Sequence, residues 1–105
     1  MDSIPASRYD ARMIYMMCRN RVEDFAAWKR VFDTHAGAHR DAGLTLRQLA
    51  RGVDDPNDIY FTFEVASLDR AKAFISAPEA GDAAKQTGVL EGDYRFVELV
   101  GSYGS

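Results

Sequence analysis

The chain predicts one α+β domain whose elements run strand, helix, strand, strand, helix, strand, folded into a four-stranded antiparallel sheet with both helices on one face. Three observations carry this. Short runs that are apolar or alternate in polarity are separated by two stretches in which apolar residues recur every three or four positions. Clusters of Gly, Pro, Asp and Asn mark the boundaries between them. At 105 residues, 47% hydrophobic and 28% charged, the chain can build one core and has no room for a second.

Residues 1–11 hold Pro5 among scattered Ser and Asp without periodicity, which predicts a flexible arm. The domain is then expected over residues 12–101, with a frayed tail at 102–105. Met13-Ile14-Tyr15-Met16-Met17-Cys18 is apolar at both parities, as expected of a strand covered on both faces. From Val22 to Ala42 the period changes: Phe25, Trp28, Phe32, His35, Ala36 and His39 share one helical face. Asn20 with Glu23 fits a capping box, Glu23 and Asp24 are alternative caps, and Gly43 suits a left-handed helix end. Gly37 is a weak point inside this helix, costing about 1 kcal/mol relative to alanine.

Leu44 to Val53 alternates imperfectly and predicts a less buried strand. Asp54-Asp55-Pro56-Asn57-Asp58 is a turn, because Pro56 presets φ and the Asx side chains satisfy local backbone groups. Ile59 to Ala66 follows as a strand with Ile59, Phe61, Phe63 and Val65 on one face and Tyr60, Thr62 and Glu64 on the other, completing a hairpin. Ser67 caps a second helix whose inner stripe is Leu68, Ala71, Phe74 and Ile75. Pro78 interrupts it, a further turn or two runs from Glu79 to Thr87, and Gly88 closes that piece before a last strand from about Asp93 to Val100.

Right-handed crossovers fold this order into a ferredoxin-like βαββαβ domain. One sheet face then lies open although the outer runs are apolar on both sides, and the simplest cover is the same face of a second copy, so a homodimer is expected. Thirteen basic and sixteen acidic residues give a net charge of -3 with no basic run, which argues against a nucleic-acid partner. No apolar stretch reaches the roughly 18 residues of a membrane span, and Met1 to Arg12 lacks the apolar core of a secretory signal, so no membrane partner and a cytoplasmic location are expected. Cys18 is the only cysteine, which leaves no intrachain disulfide and no cysteine-based zinc site and suggests a buried thiol.

His35 and His39 stand four apart on the apolar helical face, so both rings can reach one small volume. They can be core or rim histidines with a hydrogen-bond partner. One can be a general base or ligand anchor in an aromatic pocket. They can also be two metal ligands, for which Glu64, Asp33 and Cys18 are the candidate third ligands and no metal is expected. Trp28 and Phe32, one turn apart, fit either plain core or a platform for a planar substrate. Tyr15, Tyr60 and Tyr94 lie on strands and can supply phenolic hydroxyls to a pocket or to the dimer barrel. Arg47, Glu64, Arg95 and Glu98 need charge partners and suggest a salt-bridge network at an interface. Ser67, Ser76 and Ser102 have cap or terminal contexts, no G-x-S-x-G elbow exists, and glycine patterns for dinucleotides are absent.

Val22-Glu23-Asp24-Phe25, Trp28-Lys29, Phe32-Asp33 and Ala42-Gly43-Leu44 together resemble the dimeric α/β-barrel superfamily, especially its antibiotic-biosynthesis-monooxygenase-like and cyclase-like small proteins. Asp54-Asp55-Pro56-Asn57, Phe61-x-Phe63-Glu64, Ala71-x-x-Phe74 with Pro78-Glu79, and Gly88-Val89 support it, over roughly Met13 to Val100. The resemblance implies two sheets packed into a barrel and a ligand pocket between each sheet and its helices, bordered by Trp28, Phe32, His35 and His39. From the residues themselves, the first functional reading is a cofactor-independent monooxygenase or cyclase-like enzyme for a flat hydrophobic or aromatic ligand, with His35 or His39 as the catalytic group and Trp28, Phe32, Tyr15 and Tyr60 as substrate contacts. The alternative is a non-catalytic ligand-binding or stress-related domain. Relatives that act on aromatic polyketides or degrade haem rely on polar residues, including asparagine, near a tryptophan. Asn20 and Asn57, at a strand end and in a turn, do not suggest that arrangement.

Overall fold

In the computed structural model, residues 13–101 and 103 are described, so the expected arm at 1–11 and most of the tail lie outside them. The elements are β1 (Ile14–Val22), α1 (Phe25–Thr34), α2 (Ala36–Asp41), β2 (Leu44–Arg51), β3 (Asp58–Val65), α3 (Leu68–Ser76), α4 (Pro78–Gln86) and β4 (Val89–Glu98). The sheet order is β2-β3-β1-β4 and every neighbouring pair is antiparallel, giving the predicted ferredoxin-like sheet with its helices on one face. Among the described residues no helix is long and apolar enough to cross a membrane.

Two strands are longer than their apolar runs. β1 continues through Arg19, Asn20 and Arg21 because it lies between β3 and β4 and is hydrogen-bonded on both sides, which overrides the weak strand preference of those residues. The same ladder recruits Val89 to Gly92 into β4, four residues before the predicted start, with Val22 opposite Val89 and Asn20 opposite Gly92. The imperfect alternation in β2 is a bulge at Arg47: the register steps from Leu46↔Phe63 to Gln48↔Thr62. The extra residue resets the parity, so Leu49 packs against the core.

The predicted long first helix is two helices. Asp24, rather than Asn20, is the N-cap of α1, its carboxylate accepting from the Ala27 N–H at 2.9 Å. Thr34 donates its hydroxyl back to the Val31 carbonyl at 2.6 Å, and the His35 N–H reaches the Phe32 carbonyl at 3.0 Å, tightening the last turn. Gly37 lowers the helical preference just beyond, and the axis breaks at His35. The left-handed residues are the predicted ones, Gly43 at φ 78° and Gly88 at φ 72°. Ser67 caps α3 by accepting from Arg70, and Pro78 starts α4.

Met16, Val22, Trp28, Leu44, Ile59, Phe61, Phe63 and Val65 are buried between sheet and helices, with Ala71 of α3 packed down on them. Alternation sends Tyr15, Met17, Arg19 and Arg21 of β1, and Tyr60, Thr62 and Glu64 of β3, to the opposite face. That face is open in the single chain: Met17 is 52% and Tyr60 45% exposed. The strand charges find partners within the chain. Arg47 pairs with Glu64 at 2.7 Å, Arg95 with Asp93 at 2.8 Å, Arg21 with Glu91 at 2.8 Å, and Arg19 with Asp58 at 2.7 Å.

Candidate functional site

Between the sheet and the helices lies a cavity of about 700 Å³, within the usual range for sites that take drug-sized molecules. Its floor is the helix-facing side of the sheet, with Met16, Cys18 and Asn20 from β1 and Phe61 and Phe63 from β3. One wall is Phe32, His35 and His39 from α1, its break and α2. Phe74 and the small residues Ala77, Ala80 and Gly81, where α3 gives way to α4, form the other side, and Gly92 and Tyr94 of β4 close an edge.

The break at His35 leaves both histidines on this wall, with ring centroids 6.4 Å apart. His39 sits half-buried among aromatic rings, 5.0 Å from Phe63, 5.1 Å from Phe32 and 5.7 Å from Phe74. Burial, and secondarily the neighbouring His35, hold its pKa below the ordinary imidazole value of 6.5. The ring is therefore neutral at pH 7, with one nitrogen able to accept a proton and the other to donate a hydrogen bond.

Trp28 is 2% exposed, with Phe32 stacked on it at 4.5 Å and Phe61 tilted against it at 5.5 Å. Its ring faces are packed by protein, so it borders the cavity with little more than a rim. Phe32 is less enclosed and offers more surface.

The expectation that Tyr15 and Tyr60 contact a ligand here is corrected by strand parity. Both point to the opposite face of the sheet, where the Tyr60 hydroxyl donates to Asp58 at 3.1 Å and Arg19 lies 5.6 Å from the Tyr60 ring centre. Tyr94, opposite Cys18 in the β1–β4 ladder, lines the cavity instead. Its position depends on that register, which no local pattern reveals.

Asn20 is the residue that sequence reasoning missed. It lies inside β1 with its side chain at the cavity, directly opposite Gly92. A Cβ at Gly92 would stand 3.1 Å from Asn20 Oδ1, so the glycine leaves room for the amide. An asparagine and a tryptophan thus border one cavity, contrary to the expectation from their places in the sequence. The signal available was a glycine in a strand-like segment, legible only once the pairing is known.

The candidate third metal ligands do not assemble around the histidines. Glu64 is on the far face with Arg47, Asp33 is paired with Lys29 at 2.7 Å, and among the described residues no three His, Cys, Asp or Glu side chains are grouped to hold a metal ion. Cys18 does reach the cavity floor. Burial, with a smaller contribution from Asp93, pushes its thiol up to about 12, so it is an unreactive neutral thiol at pH 7.

No protein-family model matches the chain, and no curated protein matches it. Solved structures do. A variant of SnoaB, a cofactor-independent oxygenase from Streptomyces nogalater, matches with a TM-score of 0.69 at 14% identity, over 89% of this chain and 98% of that one. An antibiotic-biosynthesis-monooxygenase-like protein from Bordetella bronchiseptica gives a TM-score of 0.66 at 14% identity, over 85% and 98%. A NIPSNAP-family protein of unknown function from Agrobacterium tumefaciens gives 0.62 at 14% identity, over 83% and 87%. These likenesses establish a shared fold with antibiotic-biosynthesis-monooxygenase-like proteins. At such identities they establish nothing about chemistry.

Proposed function

We propose that this chain handles a flat, hydrophobic aromatic molecule in the cavity between sheet and helices, and that it oxygenates that molecule without a cofactor, using His39 as the base. The carrying observation is a neutral, half-buried imidazole facing a largely aromatic cavity large enough for a fused-ring compound. Phe32 supplies ring surface for the ligand, while Trp28 supports Phe32 from behind. Asn20 and Tyr94 offer hydrogen bonds to ring oxygens at the sheet end, and His35 stands beside His39 at the wall.

For an anthrone the step balances without added electrons. His39 takes the ring C–H proton, and the resulting anion reduces O2. One oxygen atom joins carbon as the new carbonyl and the other leaves as water. The apolar, aromatic lining beside His39 is the cavity's contribution, holding the planar ring against the base.

The test is oxygen uptake with 1,8-dihydroxyanthrone at neutral pH, corrected for the uncatalysed rate. The expected result is catalysed formation of the anthraquinone that falls by about 100-fold in His39→Ala and less in His35→Ala. Undiminished turnover in both variants refutes the role given to the histidines. A second reading, ligand binding without chemistry, is favoured by one feature: among the described residues no group hydrogen-bonds His39 to fix its tautomer. Saturable binding with no oxygen consumption decides for it.

The protein works as a homodimer in this proposal, with the open sheet face of Tyr15, Met17 and Tyr60 packed on its twin. The exposure of Met17 and Tyr60 supports it. Light scattering should report close to twice the chain mass of 11.7 kDa, and a value near that single mass refutes it.

A further inference from the structure

The charges around the cavity are distributed unevenly. Among the described residues no lysine or arginine lines it. The basic side chains of the sheet are engaged elsewhere, Arg19 with Asp58, Arg21 with Glu91, Arg47 with Glu64, Arg95 with Asp93, and Arg51 over the Phe25 ring at 4.6 Å. Two acidic residues border the cavity: Glu79 in the first turn of α4, and Asp93 in β4, which stands opposite Arg19 and so turns its carboxylate to the far face of the sheet. Asp93 is paired with Arg95, yet its field still reaches the floor, where it adds to burial in raising the Cys18 thiol. His39 is neutral at pH 7 and provides no standing positive charge.

A carboxylate brought into such a site gives up part of its water and meets no lysine or arginine to compensate, while Glu79 stands at the rim. Phenols and ketones need only single hydrogen bonds, which Asn20 and Tyr94 are placed to supply. Resting on the function proposed above, we infer that the cavity selects uncharged polycyclic ligands and discriminates against those that carry a carboxylate on the ring system.

Three probes of one shape test this: 1,8-dihydroxyanthraquinone, its analogue 4,5-dihydroxyanthraquinone-2-carboxylic acid, and the primary amide of that acid. Quenching of the single tryptophan, titrated at about pH 8, reads the affinities. The acid should bind at least ~30-fold more weakly than the parent, and the amide within ~3-fold of it. Glu79→Lys, at an exposed position, should narrow the gap between acid and parent by ~10-fold. An acid that binds as well as the parent overturns the inference and leaves the proposed function standing. An amide as weak as the acid also overturns it, because size rather than charge then discriminates. If none of the three binds, the proposed function fails and this inference with it.

Discussion

Trp28 is where the two candidate roles, core residue and ligand platform, make opposite predictions. At 2% exposure, and with Phe32, Phe61 and Phe25 rings at 4.5, 5.5 and 6.1 Å, it is among the most completely packed side chains of the domain. Truncation of a buried tryptophan costs 3–5 kcal/mol, and loss of three ring contacts sets the upper half of that range, so Trp28→Ala should cost about 4 kcal/mol. Against a total stability of about 5–15 kcal/mol this leaves a marginal domain. Trp28→Phe keeps a ring under Phe32 and should cost about 2 kcal/mol. Urea unfolding followed by far-ultraviolet circular dichroism measures both without the lost fluorophore. The dissociation constant of 1,8-dihydroxyanthraquinone for the folded Phe variant, read from the dye's own absorbance, should stay within about threefold of the parent. A Phe variant that is nearly as stable as the parent but binds more than about tenfold more weakly would refute the core assignment.

Three further outcomes are expected. Because His39 has a depressed folded pKa, the unfolded chain binds the extra proton as the pH falls below 6.5, so stability is full above that pH and is lost below it. His39→Phe should flatten the thermal midpoint between about pH 7.5 and about pH 5, and an unchanged pH profile would contradict the placement of the ring. Asn57 accepts from the Phe25 N–H at 2.8 Å and donates to the Glu23 carbonyl at 3.3 Å, tying the β2–β3 turn to the start of α1; Asn57→Ala should cost about 1–2 kcal/mol in urea unfolding. Cys18, with its thiol pushed up to about 12, should stay unreactive toward a disulfide reagent at about pH 8 in the native protein and react fully in denaturant, whereas rapid native labelling would show an open floor.

Much of the fold was legible because it rests on local chemistry. The alternation of Ile59, Phe61, Phe63 and Val65 marked β3, Ser67 and Pro78 marked the limits of α3, and Gly43 and Gly88 marked the left-handed ends. The site was legible in part. The spacing of Phe32, His35 and His39 placed them on one helical face, and they do share the cavity wall despite the break at His35, because the His39 N–H still bonds to the His35 carbonyl at 2.9 Å and keeps the helical offset. The sheet face of Tyr15 and Tyr60 and the place of Asn20 at the cavity were not legible for one reason: each depends on which face of a strand meets the helices.

The sequence by itself determined the strand–helix–strand–strand–helix–strand order, the four strand identities, the Ser67 cap, the glycine ends and the aromatic, histidine-bearing helix face, since each follows from residues within a few positions of one another. Only the tertiary structure decided that Asn20 and Tyr94 face the cavity, that Tyr15 and Tyr60 turn away, and that the arginines are drawn off into ion pairs. Those outcomes follow from register between strands distant in sequence, and a single residue of register exchanges one sheet face for the other.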